Sequence, residues 1–391
     1  MKTPAVLASS AAAVAFGVNF TNVGALAERM AADYRVGLAT IGLFTTVLVA
    51  AHTLVQIPGG RATDRFGART LAAAALTLLL VCNVGLSVAP DPAFALGLRA
   101  AAGVGVGIGF VAAAELVRSS GGTAIGQGLY GGIGSASAGV TLAVVPRLEQ
   151  VADWRAPYVA ALVSGGVALL LIATIEREQP RARPVRRERV EASMFADGRL
   201  YRLAAMHGVA LLSVVIGNWT STLFVRGYGL DAATAGLIGA LVLAGSVLTR
   251  PAAGWIVHHR PHLVRPMLAA SLVAGAAGTL TLAVAPLSQL AVIGAAGVGL
   301  AAGVPFAPAI VGAARVRSQA PGAAVGFVNA LGSAGIVVGT PLLGFAFALP
   351  GDGRIGFAVV AAIWLGGLLA LPRASDLRGV RPPRYARRKP D

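Results

Sequence analysis

The sequence predicts an all-α integral membrane protein: twelve transmembrane helices in two six-helix bundles related by pseudo-two-fold symmetry. Three observations lead there. Of 391 residues, 56% are hydrophobic, only 12% are charged and 51 are glycine, whereas ordinary soluble domains carry about 25% charged residues and about 7% glycine. A helix needs roughly 20 apolar residues to cross the hydrocarbon core, and twelve such stretches follow one another along the chain. One highly charged segment divides them six and six. Disorder is excluded by the same composition, and a collagen-like chain by the lack of a G-X-Y period.

The first stretch, residues 6–27, follows Lys2 and has the look of a signal peptide. It is long, shows no cleavage site and is soon followed by another span, so it reads as a retained first helix. The next spans are 40–59, 70–89, 94–116, 124–145 and 156–175. Residues 176–199, EREQPRARPVRRERVEASMFADGR, hold two prolines and dense charge and read as a linker. Six further spans occupy 203–225, 232–256, 266–285, 287–314, 323–349 and 355–371. The domain scheme is therefore 1–175, linker 176–199, a second bundle 200–372 and a basic tail 373–391.

The two halves carry traces of a repeat. Gln56-Ile57-Pro58-Gly59-Gly60 precedes Arg250-Pro251-Ala252-Ala253-Gly254 by 194 residues, and both close the second span of their half. Gly128 with Ile133-Gly134-Ser135-Ala136 matches Gly326 with Leu331-Gly332-Ser333-Ala334 at an offset of 198. The net charge of +16 reads as positive-inside topology with attraction to anionic membrane lipid rather than as nucleic-acid binding, because the basic loops alternate with neutral or acidic ones. Both termini then face the cytoplasm, in a multi-pass protein of the cell membrane. A lone Cys82 excludes an intrachain disulfide and a thiolate metal site.

The turn after the second span reads Gly60-Arg61-Ala62-Thr63-Asp64-Arg65-Phe66-Gly67-Ala68-Arg69. Gly60 and Gly67 permit a tight helix-to-helix turn. Asp64 can accept from backbone donors or pair with an arginine, while Arg65 and Arg69 suit lipid phosphate or acidic partners. Such a charged clasp can hold the halves together in one state and release them in another. The decapeptide resembles the loop signature G-x-x-x-D-R-x-G-x-R of the major facilitator superfamily. Arg99 with Gly103 is similar to that superfamily's R-x-x-x-G signature, and Trp154-Arg155 to another of its common features. The resemblance implies a secondary transporter working by alternating access, with Gly60–Arg69 at the gate and Arg99 in coupling. The matching loop after the eighth span has His258-His259 in place of the Asp-Arg pair.

Membrane-embedded charges cost roughly 2.5–3.5 kcal/mol each on insertion scales and mark functional sites by default. Arg99 and Arg250 are the embedded arginines. The stretch Gly245–Trp255 is similar to the eighth span of the nitrate/nitrite porter family, whose arginine there binds the anion; Gly126–Ser135 is similar to that family's glycine-rich fifth-span signature. Two departures matter. Ser135 stands where the signature carries asparagine, and Gln56 where the family has its second anion-binding arginine. One arginine neutralises one monovalent anion, and a glutamine lends hydrogen bonds without a guanidinium fork. The pair therefore fits a carboxylate, or a larger molecule with one anionic group, better than nitrate. Arg250, Gln56, His52, Tyr130, Ser135 and Asn329 are the substrate-site candidates. The glycines at 103, 105, 107 and 109 read as helix packing, since a dinucleotide loop needs a preceding strand and a solvated helix start.

Proton coupling needs a titratable group in the path. Glu115 is the carboxylate near a span, with an interfacial ion pair to Arg118 as its plainer reading. His52 lies one turn from Gln56 on the same face, and His207 near the start of the seventh span; a histidine carries a proton near physiological pH. The polar residues Asn19, Thr21 and Asn22 of the first span and Asn218–Thr222 of the seventh serve either substrate or helix–helix bonding. There is no nucleophile–base constellation, metal-ligand cluster or phosphate loop, so no enzyme, cofactor or metal is expected. The expected partners are a small-molecule substrate and lipid, and the expected state is a monomer. The leading function is transport of a small or organic anion. A drug or metabolite efflux carrier is the alternative, and a non-transporting sensor lies further off.

Overall fold

The computed structural model describes residues 3–23, 27–121, 123–175, 194–230, 232–284 and 288–373; most of the expected linker and nearly all of the tail lie outside these. In chain order the helices are α1 (Thr3–Thr21), α2 (Ala27–Tyr34), α3 (Leu38–Phe66), α4 (Ala68–Ser87), α5 (Pro92–Ser119), α6 (Ala124–Ala152) and α7 (Ala156–Ala173). Then come α8 (Gly198–Tyr228), α9 (Ala232–Ala244), α10 (Ser246–His259), α11 (Val264–Val284), α12 (Ser288–Gly303), α13 (Phe306–Val316), α14 (Pro321–Ala346) and α15 (Arg354–Gly366). Among the described residues, eleven helical stretches are long and apolar enough to cross a membrane, and a shorter apolar one covers Arg354–Ala370. Leu54, Leu170, Leu248 and Leu342 stand exposed on the outer surface, an arrangement that lipid tolerates and water does not.

Local chemistry sets the helix ends. Asp91 caps α5, its Oδ1 accepting from the amides of Ala93 and Phe94 at 2.9 Å, with Pro92 at the first helical position. Gly67 ends α3 at φ 90°, a value that side chains resist. The sequence reading placed the whole decapeptide in a turn, but α3 continues through Gly60 to Phe66 and only Gly67 turns the chain. Two spans are broken. Thr234–His259 is interrupted at Gly245 between α9 and α10, and Gln289–Val316 at Val304-Pro305 between α12 and α13. Proline without an amide hydrogen accounts for the second break.

Small residues bring the helices together. The glycines of α5 press against neighbouring backbones: Gly103 on the Leu48 carbonyl, Gly105 on that of Ala75 and Gly107 on that of His52. This is the packing role expected of them. Four further glycines seat α3 against α14 and α6 against α10. A Cβ on Gly60 would lie 2.7 Å from the Gly322 carbonyl carbon, and one on Gly326 2.9 Å from that of Gln56. A Cβ on Gly128 would lie 2.6 Å from the carbonyl carbon of Arg250, and one on Gly254 2.6 Å from that of Ala124. The residues of the sequence repeat thus meet crosswise: Gly326 on Gln56, Gly128 on Arg250.

Candidate functional site

At one end of the α3–α14 contact, Asp64 accepts from the amides of Gly322 and Ala323, each at 3.1 Å. These are first-turn amides of α14, which have no partner within their own helix, and the helix dipole favours a carboxylate there. The carboxylate of the motif thus sits on a helix N-terminus, and Gly60 permits this by close approach to Gly322. Arg69 donates to the carbonyls of Ile172 and Ala173 at 3.3 and 2.9 Å, closing the end of α7. Arg65 lies over the ring of Phe66, 5.0 Å from its centroid.

Two turns deeper along α3, four buried polar side chains form one hydrogen-bonded chain. His52 Nε2 and Gln56 Nε2 are 2.7 Å apart, Asn329 Nδ2 donates to Gln56 Oε1 at 2.5 Å, and His207 Nε2 lies 2.8 Å from Asn329 Oδ1. The chain runs from α3 through α14 to α8. The outer nitrogens, Nδ1 of both histidines, are buried without a hydrogen-bond partner. Aromatic rings surround it. Phe20 and Phe110 meet His52 edge-on at 5.1 and 6.2 Å, and Phe306 meets His207 at 5.8 Å.

Arg250 lies beside this chain, on α10 one turn past the break at Gly245. Its Nη1 donates to the Gly131 carbonyl at 2.5 Å, its guanidinium carbon sits 4.5 Å over the Phe306 ring centroid, and its Nε is buried without a partner. Tyr130 donates to the Phe110 carbonyl at 2.9 Å and packs on the Phe110 ring at 5.6 Å. Gln56, Asn329, His52, His207, Tyr130 and Arg250 are therefore gathered around Phe110 and Phe306, which the sequence reading did not single out. The available signal was the Pro305-Phe306-Ala307-Pro308 run, which marks a helix break inside a span.

Other candidates lie apart. Arg99 is fully buried and donates to the Phe44 carbonyl, Asn22 Oδ1 and the Asn19 carbonyl at 3.2, 3.2 and 2.9 Å. Asn83 joins this network through Asn19. Glu115 is held by Arg118 in a two-pronged pair at 2.5 and 2.6 Å. Ser135 donates to the Leu243 carbonyl across α6 and α9. Thr21 bonds the Ala138 carbonyl, Trp219 that of Thr340 and Ser221 that of Ala235; these polar residues of the first and seventh spans serve helix–helix bonding. Outside the membrane spans, Tyr34 has its hydroxyl pushed up to about 12 by burial.

Eleven apolar helices of membrane length among the described residues, with the buried Arg99 on one of them, define a multi-pass helical membrane protein. The family model of the Major Facilitator Superfamily matches residues 8–265, and the chain belongs to that superfamily, whose members are transporters rather than enzymes. It is 25% identical over 361 residues to a nitrite extrusion protein of Bacillus subtilis (strain 168), covering 89% of this chain and 88% of that one. Its fold matches the crystal structure of the human organic anion transporter MFSD10 (TETRAN) with a TM-score of 0.75 and 15% identity, over 94% of this chain and 99% of that one.

Proposed function

We propose that this protein is a secondary active transporter of a small or organic anion, with Arg250 as the substrate's electrostatic anchor. Two six-helix bundles, 1–175 and 200–372, joined by the linker 176–199, rock about the site in alternating access. The protein sits as a monomer in the cell membrane, with both termini and the basic tail 373–391 in the cytoplasm. The clasp at Asp64 then gates the cytoplasmic end, and no cofactor takes part.

One observation carries the anion reading. Among the described residues Arg250 meets a carbonyl and an aromatic face, and its charge is left for a ligand. The α13 N-terminus begins at Phe306, directly beneath the guanidinium, and adds a favourable dipole. The names of the two similar proteins, nitrite extrusion and organic anion transport, support the same class. With Gln56 committed to Asn329 and His52, a single guanidinium suits one carboxylate-like group. The aromatic shell of Phe20, Phe110, Tyr130 and Phe306 favours an apolar body on that anion, and it is also what a drug or metabolite efflux carrier would use.

Thermal unfolding of the purified protein in nitrite, benzoate and tetraphenylphosphonium tests this. A ligand at 100 times its dissociation constant stabilises by about 2.7 kcal/mol. Stabilisation by benzoate or nitrite that vanishes in Arg250→Gln is expected. Stabilisation by tetraphenylphosphonium alone, unchanged in Arg250→Gln, overturns the anion reading in favour of efflux.

A further inference from the structure

We infer that the His52–Gln56–Asn329–His207 chain is the proton-coupling site of the carrier: it closes only with both histidines neutral, and the opening of the α3–α14 contact takes up two protons. The inference rests on the transporter reading for its role in the cycle, but its chemistry stands on the chain alone.

The hydrogen-bond directions are decisive. A primary amide presents one donor nitrogen and one acceptor oxygen, and a neutral imidazole one of each. Written from His52, the chain has Gln56 Nε2 donating to an acceptor Nε2 on His52, Asn329 Nδ2 donating to Gln56 Oε1, and His207 Nε2–H donating to Asn329 Oδ1. Turning both amides over and exchanging the tautomers of both histidines satisfies the same three contacts in reverse. In either direction one histidine donates into the chain and the other accepts. Two imidazolium rings would both donate, and no orientation of two amides then avoids a donor-to-donor contact. The chain breaks at its Gln56–Asn329 link or at one of its ends.

A single imidazolium fits the directions but not the surroundings. His52 is 3% exposed and His207 2%, and each outer Nδ1 faces no acceptor. A buried cation without a counter-charge costs far more than a neutral ring. Phe20 on α1 and Phe110 on α5 are uncharged, Tyr130 on α6 packs on Phe110, and Arg250 on α10 shares the Phe306 ring of α13 with His207. The charge among them is positive and opposes protonation. Asp64 lies eight residues further along α3, about 12 Å away by helical rise. When the contact opens, water reaches the rings and they regain the ordinary affinity of histidine, near pKa 6.5.

The sign follows. Both histidines are neutral in the closed form and free to charge in the open one, so acid favours opening. Between pH 8 and pH 5.5 each freely titrating histidine shifts the ratio of open to closed about tenfold, and the pair about a hundredfold. An anion on Arg250 removes the opposing charge beside His207, so anion and proton binding reinforce one another.

The test needs no substrate. Spin labels at positions 65 and 318, exposed residues near the ends of α3 and α14, report the opening by double electron–electron resonance in a Cys82→Ala background. The expected result is a ratio of open to closed that rises about a hundredfold between pH 8 and pH 5.5 in the parent. It rises about tenfold in His52→Gln and in His207→Gln, and not at all in the double variant. Glutamine preserves an amide partner for the chain, so these variants keep the closed form. Gln56→Leu, which cuts the chain, raises the open fraction already at pH 8. Arg250→Gln removes the cation that opposes protonation in the closed form and should weaken the pH response below that of the parent. A parent distribution that ignores pH, or a double variant that responds as strongly as the parent, overturns the inference and transfers any response to another group such as Asp64. Either outcome leaves the anion reading standing, because that reading is decided by benzoate and nitrite stabilisation.

Discussion

Replacing Asp64 by alanine removes the carboxylate that caps α14 from across the contact. Two amide hydrogen bonds at 3.1 Å are lost. A bond to a charged group is worth about 1.5–3 kcal/mol net when well buried, and loss of a helix N-cap about 0.5–2. Asp64 is half-buried, so we take about 2 kcal/mol for the pair. The bonds exist only while α3 and α14 are together, so the whole loss falls on the closed form and shifts the ratio of open to closed about thirtyfold. Asp64→Asn keeps one acceptor oxygen without the charge, and about 1 kcal/mol or fivefold is expected. The labels at positions 65 and 318 measure both. A distance distribution in Asp64→Ala that matches the parent would refute the clasp.

Three further outcomes are expected. Gly128→Val drives a side chain into the backbone of Arg250 and Pro251, and the α6–α10 contact should lose about 1–3 kcal/mol, read as a lower unfolding midpoint and a smaller closed fraction. Arg99→Gln gives up hydrogen bonds to the Phe44 and Asn19 carbonyls and Asn22; a loss of about 3 kcal/mol in unfolding with benzoate affinity unchanged would mark it as structural, whereas unaltered stability would contradict the network. At the α8 N-terminus the Arg199 side-chain hydrogen bond holds the Asp197 carboxyl below its ordinary value, with Arg317 helping. A lowered folded value means stability that is full above pH about 4 and is lost as pH falls below it. Asp197→Asn should therefore lower the melting temperature equally at pH 5 and pH 7, and the difference should shrink in strong acid.

Much of this was legible in the chain itself. Twenty-residue apolar runs read as spans because a bilayer leaves a helix no other length, and the α5 glycines declared themselves as packing because nothing else fits an apolar helix. Of the two roles open to Asp64, accepting from backbone donors or pairing with an arginine, the structure shows the first. Which amides donate is not legible, since any residue supplies them. Gly60 was misplaced in a turn because glycine breaks a helix in water, whereas here close contact with Gly322 rewards its missing side chain. The link from Gln56 to Asn329 spans 273 positions, and no local period encodes such a distance. Phe306 looked like one more apolar residue in an apolar span, and only the break at Pro305 turns its ring toward Arg250 and His207.

The crosswise glycine contacts have a consequence for how the two seams divide their work. Gly326 on Gln56 and Gly128 on Arg250 make the contact isologous, as in a two-fold homodimer where one patch is used twice. Perfect symmetry would exchange the two halves and make the two seams interchangeable, with nothing to give them different work. The repeat is broken at the paired positions themselves, a neutral amide on one side and a cation on the other. If Arg250 holds the anion and the histidine chain takes up protons, as proposed, substrate charge falls to the α6–α10 seam and proton uptake to the α3–α14 seam, so the two seams are given different work by a single exchange of side chains.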